Sequence, residues 1–158
     1  MRVAVTGHRD LSPGTADLVR TALEGLLVPH GAEVVGVCCL APGADQIFAE
    51  TVLRLGGRLE AIVPARAYGS ALPPPDRERF EGLLDRADPV RRLSHEEPTP
   101  AVFAAANEVM LADADVLVAV WDGGPSRGVG GTAEVVDAAR RRRIRVEILW
   151  PEGAERLS

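Results

Sequence analysis

An apolar run, Val116-Leu117-Val118-Ala119-Val120-Trp121, leads within a few residues into Arg127-Gly128-Val129-Gly130-Gly131-Thr132-Ala133-Glu134. A buried strand that opens into glycines and then into a helix is the building unit of a parallel α/β sheet. It also leaves backbone N–H groups unpaired at one spot with the positive end of the helix dipole behind them, a seat for an anion and for a phosphate in particular. Gly128, Gly130 and Gly131 allow close approach of a ligand to the backbone, and Thr132 either caps the helix or donates its hydroxyl to a phosphate oxygen. The alternative is a tight turn that binds nothing, which seldom needs three glycines in four positions.

The same alternation runs through the rest of the chain. Arg2-Val3-Ala4-Val5-Thr6 reads as a first short strand closed by Gly7, and Ser12-Pro13-Gly14-Thr15 opens a helix with Leu18, Val19, Ala22, Leu23, Leu26 and Leu27 at helical spacing. Residues 33–40 read as a second strand, 45–55 as a helix carrying Ile47, Phe48, Val52 and Leu55 to the sheet, and 59–63 as a third strand. Residues 65–100 are the least regular part, with a charged helix near 76–86, and a stretch this polar beside a sheet edge often forms a lid or a partner surface. A helix over 102–112, a strand over 115–121, a long helix over 132–143 and a fifth strand over 145–149 complete the pattern. The expected fold is α/β: one three-layer Rossmann-like domain over 1–158, a mainly parallel sheet of about five strands with helices on both faces.

At 158 residues and 46% hydrophobic composition, the chain suits one well-buried domain better than two. No run approaches the roughly 20 apolar residues of a membrane span, and the first residues enter a strand instead of a signal-like sequence, so the expected location is the cytoplasm, with no membrane partner. A net charge of −5 and a pI near 5.2 argue against a broad nucleic-acid surface. Cys38 and Cys39, adjacent on a strand, point to opposite faces and cannot readily pair, and His8, His30 and His95 are scattered, so neither metal nor cofactor is expected.

In a doubly wound sheet, ligands sit outside the carboxyl ends of the strands where strand order reverses. Three turns leave strand ends with unusual chemistry: Thr6-Gly7-His8-Arg9, Pro42-Gly43-Ala44-Asp45 and the glycine loop at 128–132, and they are expected to converge on one crevice. Arg9 offers a planar fork that matches two phosphate oxygens, or else pairs with Asp10 or Asp45. Asp45 caps its own helix or accepts a ribose hydroxyl or base amine; His8 is a hydrogen-bonding group or an acid–base; Asp122 ends a buried strand at the crevice mouth; Glu134 steadies a helix dipole or faces a sugar.

Thr6-Gly7-His8-Arg9, Gly43-Ala44-Asp45 with Ala49-Glu50, and Ala114-Asp115 leading to Gly130-Gly131-Thr132-Ala133-Glu134 together resemble the SLOG superfamily. That group holds the DprA-type proteins, the Lonely Guy phosphoribohydrolases and small stand-alone bacterial domains related to YspA and YpsA. The resemblance implies a Rossmann-like domain that binds nucleotides or nucleotide-derived ligands, usually as a homodimer. In the phosphoribohydrolase branch, an arginine before the fourth strand and a glutamate in a Pro-Gly-Gly-x-Gly-Thr-x-x-Glu motif cleave the N-glycosidic bond of nucleoside monophosphates. In this chain the glutamate position falls on Val135, with Glu134 one residue early, and the arginine position on Ala106, followed by Asn107. Arg127 and Gly128 stand where the motif has proline and its first glycine.

The reading is therefore a binding module, a sensor or store for a nucleotide or nucleotide-derived small molecule, with Thr6, Gly7, His8, Arg9, Gly43, Ala44, Asp45, Arg127, Gly128, Gly130, Gly131 and Thr132 as ligand residues. The alternative is an enzyme at the N-glycosidic bond, a phosphoribohydrolase or a deoxyribosyltransferase-like protein with Trp121-Asp122-Gly123 at its strand end and Glu134 and Asp122 as catalytic groups. A DprA-like DNA-binding role is the third and weakest reading.

Overall fold

The computed structural model describes residues 1–125 and 131–157. Along the chain the strands are β1 (Arg2–Gly7), β2 (Val35–Cys38), β3 (Arg58–Val63), β4 (Val90–Arg92), β5 (Val116–Val120) and β6 (Arg145–Leu149). The described helices are α1 (Pro13–Leu27), α2 (Ala44–Arg54), α3 (Pro74–Asp85), α4 (Pro100–Leu111) and α5 (Thr132–Arg141). All six strands join one sheet in the order β4-β3-β2-β1-β5-β6, and every pairing is parallel. The chain winds outward from β1 to β4, then crosses back to place β5 on the other side of β1, so strand order reverses between β1 and β5.

Alternation along β5 divides the core. Val116, Val118 and Val120 face α1 and α2 with Val19, Leu23, Phe48 and Val52, while Leu117 and Ala119 face α4 and α5 with Met110, Val135 and Val136. This is the three-layer α/β arrangement that the alternation of elements requires. The sheet has six strands, not about five; the sixth is β4, whose three residues Val90-Arg91-Arg92 are too short and too charged to show a strand period. Residues 65–100 carry α3 as well as this strand, and Tyr68, Leu72, Phe80 and Leu83 from the segment are buried in the core.

Helix starts follow their capping residues. Ser12 Oγ accepts from the Thr15 amide ahead of Pro13, and Thr99 Oγ1 accepts from the Val102 amide ahead of Pro100. Leu18, expected in the core, is exposed, because α1 turns Val19, Leu23 and Leu27 inward instead. The second strand is shorter than expected: residues Gly31–Glu33 form a 3-10 turn and Leu40 already has positive φ. Both cysteines are free, Cys38 buried and Cys39 half-buried.

Candidate functional site

At the carboxyl ends of β1 and β5 the loops open a cleft of about 510 Å³. From β1 and the loop after it come Thr6, Gly7, His8, Arg9 and Asp10; from the start of α2 comes Asp45; from the end of β5 and the start of α5 come Trp121, Gly131, Thr132 and Ala133. The convergence expected from sequence is thus present for Thr6, Gly7, His8, Arg9, Asp45, Gly131 and Thr132. Gly131 stands at the N-cap of α5 and, having no side chain, offers no capping bond, so the positive end of α5 is turned to the cleft. Arg127, Gly128 and Gly130 lie outside the described residues. Glu134 is exposed on α5 and does not line the cleft.

Gly43 and Ala44 serve the cleft from behind. Gly43 has φ +80° and ψ −124°, and a Cβ on it would lie 2.5 Å from the Arg9 carbonyl oxygen and 2.6 Å from that of His8. The Ala44 amide donates to the His8 carbonyl at 3.2 Å, so it is committed to the protein and not offered to a ligand. Gly7 meets the same wall from the other side, with Ala44 Cβ and Val120 Cβ pressed against the place where its own Cβ would stand. These close approaches lock the loop carrying His8 and Arg9 against α2 and β5.

His8 is buried and has a partner that sequence spacing does not reveal. Its Nε2 accepts from the Asp122 amide at 3.3 Å and lies 3.4 Å from Asp122 Oδ1. In the neutral ring the proton then sits on Nδ1; a protonated ring would turn an N–H toward the Asp122 carboxylate. The Gly124 amide, donating to Asp122 Oδ1 at 2.8 Å, holds that carboxyl below the ordinary aspartate range, and His8 adds to the effect. Trp150 meets the His8 ring edge-on at 5.4 Å.

Arg9 lies over the face of Phe103, 5.3 Å from the ring centroid, and forms no ion pair among the described residues. Its guanidinium is held by an aromatic surface while its hydrogen-bond donors stay available. Asp45 neither caps α2 nor pairs directly with Arg9: its Oδ2 accepts from the Ala41 amide at 3.3 Å. Burial drives its pKa up to about 6, against the lowering by the Ala41 amide and the Arg9 charge. The native state thus binds this proton more tightly than the unfolded chain, whose aspartates titrate near 4. The associated stability is complete below pH 4 and is lost as pH rises toward 6, a change of about 3 kcal/mol. Asp45→Asn is expected to flatten that part of a urea-unfolding pH profile and to be more stable than the parent at pH 7; an unchanged slope between pH 4 and 6 contradicts the assignment.

Several cleft residues stand outside the sequence motifs: Tyr68, Pro100, Phe103, Met110 and Arg156; Trp121, from the Trp121-Asp122-Gly123 strand end, and Asn107 join them. Only six residues of the chain are aromatic, and Tyr68, Phe103 and Trp121 line this one cleft with Trp150 beside it, a concentration that scarcity makes visible only once the fold is known. Arg156 arrives from the segment after β6. Leu11 and Arg156 form an antiparallel bridge, the Leu157 amide donates to the Asp10 carbonyl, and the Glu155 amide donates to Thr15 Oγ1 at 2.8 Å. The segment therefore binds back over the first loop and brings a second guanidinium to the cleft.

The positions matching the phosphoribohydrolase arginine and glutamate are filled with core residues: Ala106 is wholly buried and Val135 nearly so, both packed between α4, α5 and the sheet. Among the described residues no group of three or more histidine, cysteine or acidic side chains is arranged to hold a metal, and no helix is long and apolar enough to cross a membrane.

A parallel sheet whose order reverses beside a cleft is a Rossmann-like architecture, and comparison with solved structures shows the same fold in proteins of two kinds. DNA processing protein A (DprA) from Streptococcus pneumoniae superposes with a TM-score of 0.71 at 22% identity, over 96% of this chain and 51% of that one. The Helicobacter pylori DprA, which binds single-stranded DNA, gives 0.73 at 19% identity, over 99% and 68%. The molybdenum cofactor binding protein of Rippkaea orientalis gives 0.60 at 16%, over 96% and 77%. This chain spans about half the length of the pneumococcal protein. No family model and no curated protein matches the sequence.

Proposed function

We propose that the chain binds a nucleotide or nucleotide-derived small molecule at the carboxyl edge of its sheet, as a sensor or storage module. The observation that carries this reading is the joint lining of one cleft by the start of α5 and by two arginines, Arg9 and Arg156, beside Tyr68, Phe103 and Trp121. Positive dipole end and guanidinium groups suit a phosphate, and aromatic faces suit a base. Solved structures of this fold include a cofactor-binding protein, which supports small-molecule binding in general. The protein is expected to work in the cytoplasm as a homodimer.

Catalysis at the N-glycosidic bond is the second reading, and the His8–Asp122 pair favours it by setting an acid–base group against the cleft. Apolar Ala106 and Val135 weigh against it, as does the outward position of Glu134. Single-stranded DNA is the third ligand to consider, since DprA shares the fold, although the net charge of −5 opposes an extended backbone contact.

Thermal unfolding with nucleoside 5′-mono- and diphosphates, ADP-ribose, cyclic dinucleotides and a thymidine oligomer tests the proposal. A ligand at a hundred times its dissociation constant stabilises by about 2.7 kcal/mol, which for a domain of this size is a rise of roughly 5–10 °C. No shift with any small ligand contradicts the reading, and a shift with the oligomer alone replaces it with DNA binding. Release of free base on chromatography, abolished by Glu134→Gln or His8→Gln, converts the binder into an enzyme.

A further inference from the structure

Tyr68 is 2% exposed, yet its hydroxyl has no hydrogen-bond partner among the described residues. A buried hydroxyl left unpaired is unfavourable, and native structures keep one where something else satisfies it. The phenol belongs to the cleft lining, and its oxygen feels the charges of Asp45 and Arg9 and the Cys39 thiol, all three of which line the same cleft. Its ring is fixed edge-on between Phe80, at 5.5 Å, and Phe103, at 5.9 Å, the latter being the ring on which Arg9 rests. The hydroxyl is thus rigidly held rather than free to swing into solvent.

Asp45 lines the same cleft, 8% exposed and with one oxygen engaged by the Ala41 amide. An acceptor with spare lone pairs and an unspent donor then share one wall of the cleft, the wall built by the ends of β2 and β3. The start of α5 and Trp121 belong to the other side, beyond β1. The cleft thus carries the helix dipole of α5 on one side and an uncharged donor with a carboxyl acceptor on the other, with Arg9, resting on Phe103, at the edge of the latter and within reach of a phosphate between them.

We infer that the Tyr68–Asp45 wall is a specificity subsite for the uncharged part of the ligand, a group that presents an N–H or O–H to Asp45 and a neighbouring oxygen or nitrogen acceptor to Tyr68. The inference rests on the nucleotide reading and adds to it which end of the molecule goes where. Two parts of a nucleotide have this chemistry, the polar edge of the base and the ribose hydroxyl pair. The subsite selects against ligands that are anionic throughout, because these would bring charge to the Asp45 carboxylate.

Tyr68→Phe separates this subsite from the phosphate seat, since it removes one oxygen that hydrogen-bonds to nothing among the described residues. The free variant should melt no lower than the parent, as expected for deletion of an unsatisfied hydroxyl. Calorimetric titration of parent and variant with inorganic phosphate, ribose 5-phosphate and the four nucleoside 5′-monophosphates is then compared at pH 7. Nucleotide affinity should fall about three- to tenfold in the variant, with phosphate unchanged. An equal fall for ribose 5-phosphate assigns the group to the sugar, and an unchanged ribose 5-phosphate assigns it to the base. Equal affinities of parent and variant for every ligand overturn the inference and leave the binding function standing, as does a loss that includes inorganic phosphate. A parent that binds no nucleotide removes both.

Discussion

Replacing Gly43 by alanine should lower the melting temperature by roughly 6–12 °C. The backbone there, at φ +80° and ψ −124°, lies in a region closed to L side chains, a strain of about 1–3 kcal/mol. The added methyl would also sit 2.5 Å and 2.6 Å from two carbonyl oxygens. Those atoms are backbone, so relief requires the loop bearing His8 and Arg9 to move as a unit, at a further cost of about 1–3 kcal/mol. The combined effect is about 2–6 kcal/mol, the melting shift above corresponding to about 3 kcal/mol, and calorimetry should register it. Gly25→Ala and Gly82→Ala are the controls: both lie within helices, and a Cβ on either meets nothing within 4 Å. Each should be neutral or stabilising by up to about 1 kcal/mol. A Gly43→Ala protein that melts within 2 °C of the parent contradicts the role given to this contact.

Arg9→Ala should weaken nucleotide binding by about ten- to a hundredfold while leaving stability nearly unchanged. Its guanidinium is exposed and makes no ion pair among the described residues, so little of the native fold depends on it, whereas a charge-assisted bond to phosphate contributes about 1.5–3 kcal/mol. Arg9→Lys should recover only part of the loss, because an ammonium neither forks onto two oxygens nor rests flat on Phe103. Gly131→Val tests the other half of the seat. Its backbone, φ −74° and ψ 177°, is ordinary for any residue, so the fold should survive on circular dichroism while the side chain obstructs the start of α5. Retained affinity in both variants would mean that phosphate binds elsewhere.

The fold was readable where local chemistry and global architecture agree. Ser12-Pro13 and Thr99-Pro100 start helices because their hydroxyls accept first-turn amides, and the unbroken Val116–Val120 run is a strand covered on both faces. Strand β4 was not readable, since its place is set by pairing with β3 and not by its own residues. At the site, the cleft lies at the ends of β1 and β5 because strand order reverses there, which the alternation of elements made legible. Gly43 and Ala44, expected as ligand residues, do not line the cleft: the Gly43 backbone and the Ala44 amide serve a contact with the loop after β1, which no spacing distinguishes from a ligand contact. Tyr68, Phe103 and Arg156 were missed for a physical reason: each reaches the cleft through packing against distant segments, Arg156 through a bridge to Leu11 that spans most of the chain. The His8–Asp122 pair likewise joins residues 114 positions apart.

The proposal as a whole depends on the start of α5 and Arg9 gathering negative charge in one cleft. A crystal structure grown with a nucleoside 5′-diphosphate tests this most directly. The predicted result is a phosphate within hydrogen-bond distance of the Gly131–Thr132 backbone and of the Arg9 guanidinium, with the nucleoside directed toward Tyr68. Diphosphate density at any other surface, with this cleft filled by the protein's own side chains, would contradict it.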